Sequence, residues 1–356
     1  PTIKAVMANG GRPVLMSHLG RPKGSYDNKF SLSHIIYKLE ELVGAKVNFT
    51  IDCTGEEAVK ASKDLKRGEI LLLENVRFHE GETIGDKTFA AELAKNGDFY
   101  VNDAFGTAHR AHASTAVIAD FFKEKRAFGL VMAAEIENVN KVLNSKDKPV
   151  TAIVGGAKVS SKIAILDNLV DRLDNLIIAG GMAFTFIKAK GGKIGSSLVE
   201  DDYLETAKAI LEKANNNGVK VYLPIDSVNA DKFDNAAETN ITASNAIEDG
   251  WMGLDVGPDT VKQLDKVLKY SKTILWNGPM GVFEFSNFEK GTKEVARIIG
   301  EATKAGTFSI VGGGDSVAAI KKFGMEDQVS YVSTGGGAML EYLEGKTLPG
   351  IKAIQG

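Results

Sequence analysis

Five short glycine clusters lie in the second half of the chain, each near a hydrophobic or β-branched run. Glycine accepts positive φ angles and lets the backbone approach a ligand closely, and a helix that follows it directs free N–H groups toward phosphate. One turn of this kind says little, but five in one half indicate a nucleotide site. The clusters are Gly155-Gly156, Gly180-Gly181, Gly278 with Gly281, residues 312–314 and residues 335–337.

Lys158 and Lys162 follow the first cluster. Their spacing predicts that both ammonium groups lie on one side of a helix start, where both can face phosphate. A tight turn with two surface lysines explains the same residues equally well. The chain contains neither a complete Walker A loop nor a Gly-x-Gly-x-x-Gly fingerprint, so the standard nucleotide motifs do not decide between these interpretations.

Carboxylates accompany two of the other clusters. Asp315 and Ser316 follow residues 312–314, which suits phosphates with Mg²⁺, although Asp315 could also serve only as a helix cap. Residues 276–284 combine apolar bulk with Asn277 and Glu284, which suits a purine and its ribose, although a core turn would look similar. Residues 333–337 repeat the glycine arrangement without an acid, and simple chain reversal is the alternative there.

Three loops of the first half carry arginine and histidine together, each after a predicted strand: residues 17–23, 75–79 and 107–112. The planar guanidinium of arginine stays charged and binds carboxylate or phosphate through two hydrogen bonds. Three such loops at one sheet edge predict an anion pocket. His109 and His112 are weak candidates for zinc ligands, because no third ligand lies near them in the sequence.

Composition narrows the class of protein. The chain has 356 residues, 44% hydrophobic residues and a formal net charge of −3, which predicts two folded domains and argues against a nucleic-acid partner. The single cysteine, Cys53, cannot form an internal disulfide and by itself offers no metal cluster, which suits the cytoplasm. The weakly charged run at residues 175–187 is too short to span a membrane.

The elements that position these residues alternate along the chain. Strand-like and helical runs follow one another on both sides of a polar segment at residues 144–149, which predicts two α/β domains with parallel sheets. Ligands of such sheets bind beyond the carboxyl ends of the strands, and four of the five glycine clusters are expected there.

Taken together, these segments resemble the phosphoglycerate kinase family. The resemblance covers essentially the whole length and is carried, in order, by residues 17–23, 102–115, 155–162, 276–284, 312–316 and 333–337. It implies a cytoplasmic, monomeric kinase that transfers the acyl phosphate of 1,3-bisphosphoglycerate to ADP, giving 3-phosphoglycerate and ATP. It also implies two Rossmann-like, three-layer domains with parallel sheets, joined by an interdomain helix.

The resemblance assigns roles residue by residue. Phosphoglycerate is bound by His18, Leu19, Gly20, Arg21, Arg77 and Arg110. Nucleotide is bound by Gly156, Gly180, Gly181, Lys162, Gly253, Asn277, Glu284, Gly313, Gly314, Asp315 and Ser316, and Asp315 also contacts Mg²⁺. Catalysis is assigned to Lys158 with Gly314, Gly336 and Gly337.

The implied domains are residues 1–131 joined by 349–356, the helix 132–143, and residues 144–348. In the family, a strand with the motif Arg-Val-Asp-Phe-Asn-x-Pro and a further arginine precede the helix that begins here at Pro1. We therefore expect the natural chain to begin earlier, and a chain starting at Pro1 to fold poorly and turn over little. Two other classes remain open: a different kinase of small carboxylates, and a non-catalytic nucleotide-binding protein.

Overall fold

Strands and helices alternate throughout the computed structural model, which describes residues 1–22 and 24–356. Lys23, part of the first cationic loop, lies outside the described residues. The helices are α1 (Thr2–Ala8), α2 (Ile36–Val43), α3 (Gly55–Asp64), α4 (Glu80–Ile84), α5 (Lys87–Ala94), α6 (Leu130–Leu143), α7 (Ile163–Leu169), α8 (Met182–Ala189), α9 (Leu204–Asn216), α10 (Pro258–Tyr270), α11 (Lys290–Lys304), α12 (Gly314–Lys322), α13 (Gly337–Leu343) and α14 (Pro349–Gln355). The strands are β1 (Val14–Leu15), β2 (Lys46–Thr50), β3 (Glu69–Leu73), β4 (Tyr100–Asn102), β5 (Arg126–Phe128), β6 (Val150–Val154), β7 (Asn175–Ile178), β8 (Lys193–Ile194), β9 (Lys220–Tyr222), β10 (Asp226–Ala230), β11 (Thr239–Ala243), β12 (Ala246–Ile247), β13 (Met252–Val256), β14 (Thr273–Asn277), β15 (Phe308–Val311) and β16 (Tyr331–Val332).

The chain divides into two compact units. Unit 1 comprises Pro1–Glu135 and Thr347–Gly356, and unit 2 comprises Ile136–Lys346. The chain passes between the units twice, once within α6 and once after Lys346. The domain limits given above for the family stay a prediction.

In unit 1, helices cover both faces of a parallel sheet with the order β1-β3-β2. The residues of β3 alternate between two cores, as the two-residue period of a strand requires. Leu71 and Leu73 pack with residues of α3, α5 and α14, whereas Ile70 and Leu72 pack with residues of α1 and α2. The terminal helix α14 therefore belongs to the core of unit 1.

The sequence predicts one parallel sheet in unit 1, but the residues that the structure describes form two. Strands β4 and β5 pair with each other in a separate parallel sheet. Strand β1 is short and pairs with β3 at Val14 and Leu15. Among the described residues no strand pairing joins β1 to β4, so the two sheets are separate.

Unit 2 is built on a six-stranded parallel sheet with the order β16-β15-β14-β6-β7-β9. Its central strand β6 is buried along its whole length, which is typical of a parallel sheet covered on both faces. The amphipathic helix α11 covers one face through Val295, Ile298, Ile299 and Ala302, which recur at helical spacing. A three-stranded antiparallel sheet, β11-β10-β13, is added to this unit and was not evident from the sequence pattern.

Candidate functional site

The cationic loops of unit 1 surround a cavity of about 310 Å³. The three loops follow β1, β3 and β4, and the first two strands are parallel neighbours. The structure therefore brings the predicted anion-binding residues together at one cavity, with the exception of Leu19. The backbone carbonyl of Leu19 instead accepts a hydrogen bond from Asn75. The cavity is lined by His18, Gly20, Arg21, Arg77, Gly106, Thr107 and Arg110.

Arg77 is fixed in place by two neighbouring loops. Its guanidinium is largely buried and donates from Nη1 to the carbonyl oxygen of Gly20 at 2.9 Å. Its backbone N–H donates to Asn75 Oδ1 at 3.0 Å, and Asn75 Nδ2 donates to the carbonyl of Leu19 at 2.9 Å. The first and second cationic loops are thereby held together, so the Arg77 side chain is preorganised.

Positive charge is crowded in this cavity. Burial, assisted by the charges of Arg77, His112 and Arg110, lowers the pKa of His18 from 6.5 to about 4. Burial and the Arg110 charge also lower the pKa of Arg77, which nevertheless stays protonated at neutral pH. An anion in the cavity would relieve this repulsion, so the electrostatics favour a phosphate or carboxylate ligand.

Glu82 binds the segment that follows the third cationic loop and was not singled out from the sequence. Its buried carboxylate accepts hydrogen bonds from the backbone N–H of Ser114 at 2.9 Å and from Ser114 Oγ at 2.7 Å. Its Oε1 also lies 3.6 Å from Nδ1 of His112. A glutamate in a short helix carries no sequence signal for this role, because the bonds join residues 32 positions apart.

His79 does not line the cavity, although it belongs to the second cationic loop. Its Nε2 instead lies 2.7 Å from Oδ1 of Asp52. The pairing of arginine with histidine in that loop therefore does not mean that both side chains face the same ligand.

In unit 2, all five glycine clusters follow the carboxyl ends of strands in one parallel sheet, rather than four as the sequence predicts. The strands are β6, β7, β14, β15 and β16. After β6 the chain adds β7 on one side and β14 on the other, so the strand order reverses at β6. Crevices at such reversals are where open α/β sheets bind their ligands.

The clusters after β6, β7 and β14 touch one another through their backbones. A Cβ atom on Gly155 would lie 2.3 Å from the carbonyl oxygen of Pro279, so no larger residue fits there. The N–H of Gly180 donates to the carbonyl of Met280 at 3.1 Å, and the N–H of Met182 donates to the carbonyl of Gly156 at 2.9 Å. Glycine is therefore required by close backbone approach.

Lys162 and Lys158 differ in environment, which corrects the sequence prediction for this pair. Both precede α7 rather than sharing its first turn, because the helix begins at Ile163 with Lys162 as its N-cap. Lys162 Nζ donates to Asn277 Oδ1 at 2.6 Å, and burial lowers its pKa, opposed by Asp315 and Glu344. Lys158 is exposed and carries its ammonium group at the surface.

Asn277 connects the lysine to the first glycine triplet. Its Nδ2 donates to the carbonyl of Gly312 at 2.8 Å. Gly313 has φ = 91°, and a Cβ atom there would lie 2.6 Å from Asn277 Nδ2. Gly313 therefore needs glycine both for its backbone conformation and for this contact.

The structure contradicts the interpretation of Asp315 as a simple helix cap. The N-cap of α12 is Gly313, and no side chain among the described residues caps it. Asp315 lies exposed in the first turn beside exposed Gly314, while buried Ser316 accepts from the N–H of Gly278 at 2.5 Å. The carboxylate of Asp315 is thus free to meet solvent or a ligand at this helix start.

The two glycine triplets are neighbours. A Cβ atom on Gly312 would lie 2.0 Å from the sulfur of Met339 in α13 and 3.5 Å from Cβ of Ser333. Gly336, with φ = 49°, is the N-cap of α13, and Gly337 is its first residue. The first turns of α12 and α13 therefore follow the neighbouring strands β15 and β16 at the same edge of the sheet.

Gly253 lies in the antiparallel sheet of unit 2, and Glu284 lies in the segment that follows β14. The N–H of Gly253, in β13, donates to Ser197 Oγ at 2.9 Å, and a Cβ atom there would collide with the ring of Phe184. Glu284 is exposed.

Leu198 was missed by the sequence interpretation. Its side chain is 48% exposed, and its Cδ2 would lie 2.9 Å from a Cβ atom on Gly181. An exposed leucine beside a glycine pair offers an apolar surface for a flat ring, but leucine alone carries no sequence signal.

Within residues 1–22 and 24–356, no helix is long and apolar enough to cross a bilayer.

A family model described as phosphoglycerate kinase matches residues 1–346. The chain is 51% identical over 380 residues to the phosphoglycerate kinase of Porphyromonas gingivalis, covering 100% of this chain and 91% of the relative. It is 52% identical to the cytosolic phosphoglycerate kinase 3 of Arabidopsis thaliana, covering 99% and 88%.

A solved structure similar to this chain belongs to the same family as the sequence relatives. The structure of phosphoglycerate kinase from Coxiella burnetii aligns with a TM-score of 0.90 at 40% identity, covering 100% of this chain and 89% of that one. Relatives named as chloroplastic occur beside the cytosolic ones, so the comparisons leave the compartment open.

Proposed function

The chain belongs to the phosphoglycerate kinase family, and we propose from this premise that it catalyses reversible, Mg²⁺-dependent transfer from 1,3-bisphosphoglycerate to ADP by a direct in-line step. Enzymes of this family are glycolytic kinases that transfer phosphate to a carboxyl group. The observation that carries the proposal is the anion cavity of unit 1, where three arginines from three loops converge. A glycine-rich nucleotide site alone would suit many kinases, whereas this cavity suits a substrate that is itself a polyanion.

The substrate side of the proposal uses unit 1. Arg21, Arg77 and Arg110 bind the phosphate and carboxylate groups of phosphoglycerate, and His18 adds a donor. The backbone of Leu19 and Gly20 shapes the wall, supported by the bonds from Asn75 and Arg77 to their carbonyls. Each guanidinium can form two parallel hydrogen bonds with a carboxylate or phosphate, so three of them suit a ligand that carries more than one such group.

The nucleotide side uses unit 2. Gly156, Gly180 and Gly181 approach the adenine, with Leu198 as an apolar neighbour, and Glu284 binds the ribose at the edge. The remaining residues bind along the phosphates or support those that do: Lys162, Gly253, Asn277, Gly313, Gly314, Asp315 and Ser316. The contacts of Lys162 with Asn277 and of Asn277 with Gly312 support this assignment.

Magnesium suits the donors at α12. Asp315 offers an exposed carboxylate in the first turn, beside the backbone N–H groups that are proposed to bind phosphate. Mg²⁺ is usually bound by one or two carboxylates together with substrate phosphates and water. When bound, it would neutralise phosphate charge; Asp315 is the residue proposed to hold it.

Catalysis is proposed to rest on positioning and charge neutralisation. In-line phosphoryl transfer needs no covalent enzyme intermediate. Lys158 accompanies the phosphoryl group, and the N–H groups of Gly314, Gly336 and Gly337 bind its oxygens. These donors are fixed by the backbone before the reaction, so they need little reorganisation as charge redistributes.

A coupled assay with 3-phosphoglycerate and Mg-ATP tests the proposed function. We expect turnover with 3-phosphoglycerate and none with acetate or glutamate at the same concentration. Turnover with another small carboxylate instead would favour a different kinase, and nucleotide binding without turnover would favour a non-catalytic protein. An intact-mass measurement on the same sample establishes which residues it contains. Monomeric state, cytoplasmic location and independence from nucleic acid and membranes remain part of the proposal.

A further inference from the structure

A cluster of three metal-ligating side chains lies outside the anion cavity of unit 1. The ligand atoms of Asp52, Cys53 and His79 all lie within 4.8 Å of one another. Asp52 and Cys53 follow β2, and His79 follows the short helical turn Val76–Phe78 after β3. Because β2 and β3 are parallel neighbours, their carboxyl ends bring the two loops together.

The three groups form a ligand set of the kind used for zinc. Thiolate sulfur, imidazole nitrogen and carboxylate oxygen bind Zn²⁺ at about 2.0–2.3 Å, which separates neighbouring ligand atoms by roughly 3–4 Å. Here Asp52 Oδ1 and His79 Nε2 lie 2.7 Å apart. A bound ion would replace that hydrogen bond and requires shifts on the order of 1 Å.

We propose that Asp52, Cys53 and His79 bind one thiophilic divalent cation, such as Zn²⁺ or Cd²⁺, with water as a fourth ligand. On binding, the thiol of Cys53 releases its proton to solvent, and the thiolate bonds to the ion. This site is separate from the Mg²⁺ site proposed in unit 2 and does not depend on the proposed function.

Burial gives the site an inner and an outer side. Cys53 is 1% exposed, whereas the side chains of His79 and Asp52 are 33% and 51% exposed. Solvent therefore reaches the imidazole and the carboxylate, and an ion entering from that side must displace their hydrogen bond to meet the buried sulfur. Burial raises the pKa of the Cys53 thiol, so it stays protonated until an ion of high sulfur affinity displaces the proton.

The surroundings of the outer ligands limit their motion. Oδ1 of Asp52 accepts from the N–H of Cys53 at 2.6 Å and from the N–H of Thr54 at 3.2 Å. The ring of His79 stacks on Phe89 with centroids 4.9 Å apart. Such support orients ligands before an ion arrives. A bound ion would therefore cross-link the loop after β2 to the loop that carries Arg77.

Titration of the chelator-treated protein with Cd²⁺ tests the site. We expect a thiolate-to-cadmium charge-transfer absorption that saturates at one ion per chain, and a thermal unfolding midpoint that rises with bound Cd²⁺. Zn²⁺ should compete for the same site. Absence of the absorption in the folded protein would overturn the proposal.

Variants distinguish a three-ligand site from a reactive thiol alone. Cys53→Ser should abolish the absorption, and His79→Gln and Asp52→Asn should each weaken Cd²⁺ binding at least about tenfold. His34→Gln, at an exposed histidine elsewhere in unit 1, is the matched control and should bind as the unmodified chain does. If Cys53→Ser does not fold, the other two variants still decide, since both side chains are partly exposed. Unchanged affinity in both would overturn the proposal.

Discussion

Lys158 provides the most direct test of catalysis at the scale of single residues. It is exposed beside the glycine turn after β6, whereas Lys162 is held by Asn277. We expect Lys158→Ala to lower kcat about 100- to 1000-fold, because the charge proposed to stabilise the transferring phosphoryl group is lost. Nucleotide affinity, measured by calorimetry, should change little.

The matched control for this prediction is Lys208→Ala. Lys208 is an exposed lysine on α9 that pairs with Glu205, so its loss should leave kcat unchanged. If Lys158→Ala kept the kcat of the unmodified enzyme, Lys158 would be a surface lysine in a turn.

His18 should make folding stability depend on pH. Its pKa is lowered from 6.5 to about 4 in the folded chain, chiefly by burial and then by Arg77, His112 and Arg110. Between these two pH values the unfolded chain binds a proton that the folded chain does not, so the free energy of unfolding falls as the pH falls. This contribution is fully present above pH 6.5 and fully lost below about pH 4.

His18→Gln removes this contribution, so the variant should lose less stability than the unmodified chain between pH 7 and pH 5. Urea denaturation at the two pH values measures the difference, and His34→Gln serves as the control at an exposed histidine. Equal losses in His18→Gln and the unmodified chain would contradict the assignment.

Glu82 should affect substrate affinity without touching the substrate. It accepts two hydrogen bonds from Ser114, in the segment that follows Arg110. Glu82→Gln keeps the shape but sets an amide N–H₂ against one of these donors, and such a buried mismatch costs about 1–3 kcal/mol. We expect the KM for 3-phosphoglycerate to rise severalfold while the KM for ATP stays constant. Exposed Glu80→Gln is the control, and a parallel rise in both KM values would indicate general destabilisation instead.

At the scale of elements, Gly313 joins the end of β15 to α12 through a backbone that other residues rarely adopt. Its φ is 91°, and a Cβ atom would meet Asn277 Nδ2 at 2.6 Å. Gly313→Ala should therefore lower stability by about 1–3 kcal/mol and also weaken nucleotide binding, because Asn277 holds Lys162.

Gly306→Ala separates the cost of the backbone conformation from the effect of the contact with Asn277. Gly306 has φ = 103° but open space around its Cβ position, so this variant carries only the backbone cost. It should leave nucleotide binding intact. Should both variants bind nucleotide equally well, the contact between Gly313 and Asn277 would have no part in the site.

The parallel core of unit 2 was predictable from sequence because its strands are short apolar runs that end in glycine. Strands β6 and β15 are such runs, and Gly155 and Gly312 follow them directly. The antiparallel sheet β11-β10-β13 was not predicted, because its strands carry mixed polar residues such as Asn229 and Thr242 whose partners lie across the sheet. Side-chain direction also escaped prediction: His79 turns to Asp52, and Lys162 turns inward to Asn277. These choices depend on tertiary contacts that a local pattern does not encode.

At the scale of the whole molecule, the proposed reaction requires ligands bound by two different units to meet. In-line transfer needs reacting atoms about 3–3.5 Å apart, and an acyl phosphate must be shielded from water. We therefore expect the units to close when 3-phosphoglycerate and a nucleotide are both bound, as is common for domains that share one reaction. Small-angle scattering should show a smaller radius of gyration with both ligands than with either ligand alone.

Arg110→Ala gives this experiment its control, because it removes one proposed phosphoglycerate contact and leaves the proposed nucleotide residues of unit 2 unchanged. With this variant, compaction should require a higher concentration of 3-phosphoglycerate but the same concentration of nucleotide. A radius of gyration that stays constant with both ligands bound, under conditions where turnover is measured, would contradict closure. Transfer would then have to occur without large motion of the units.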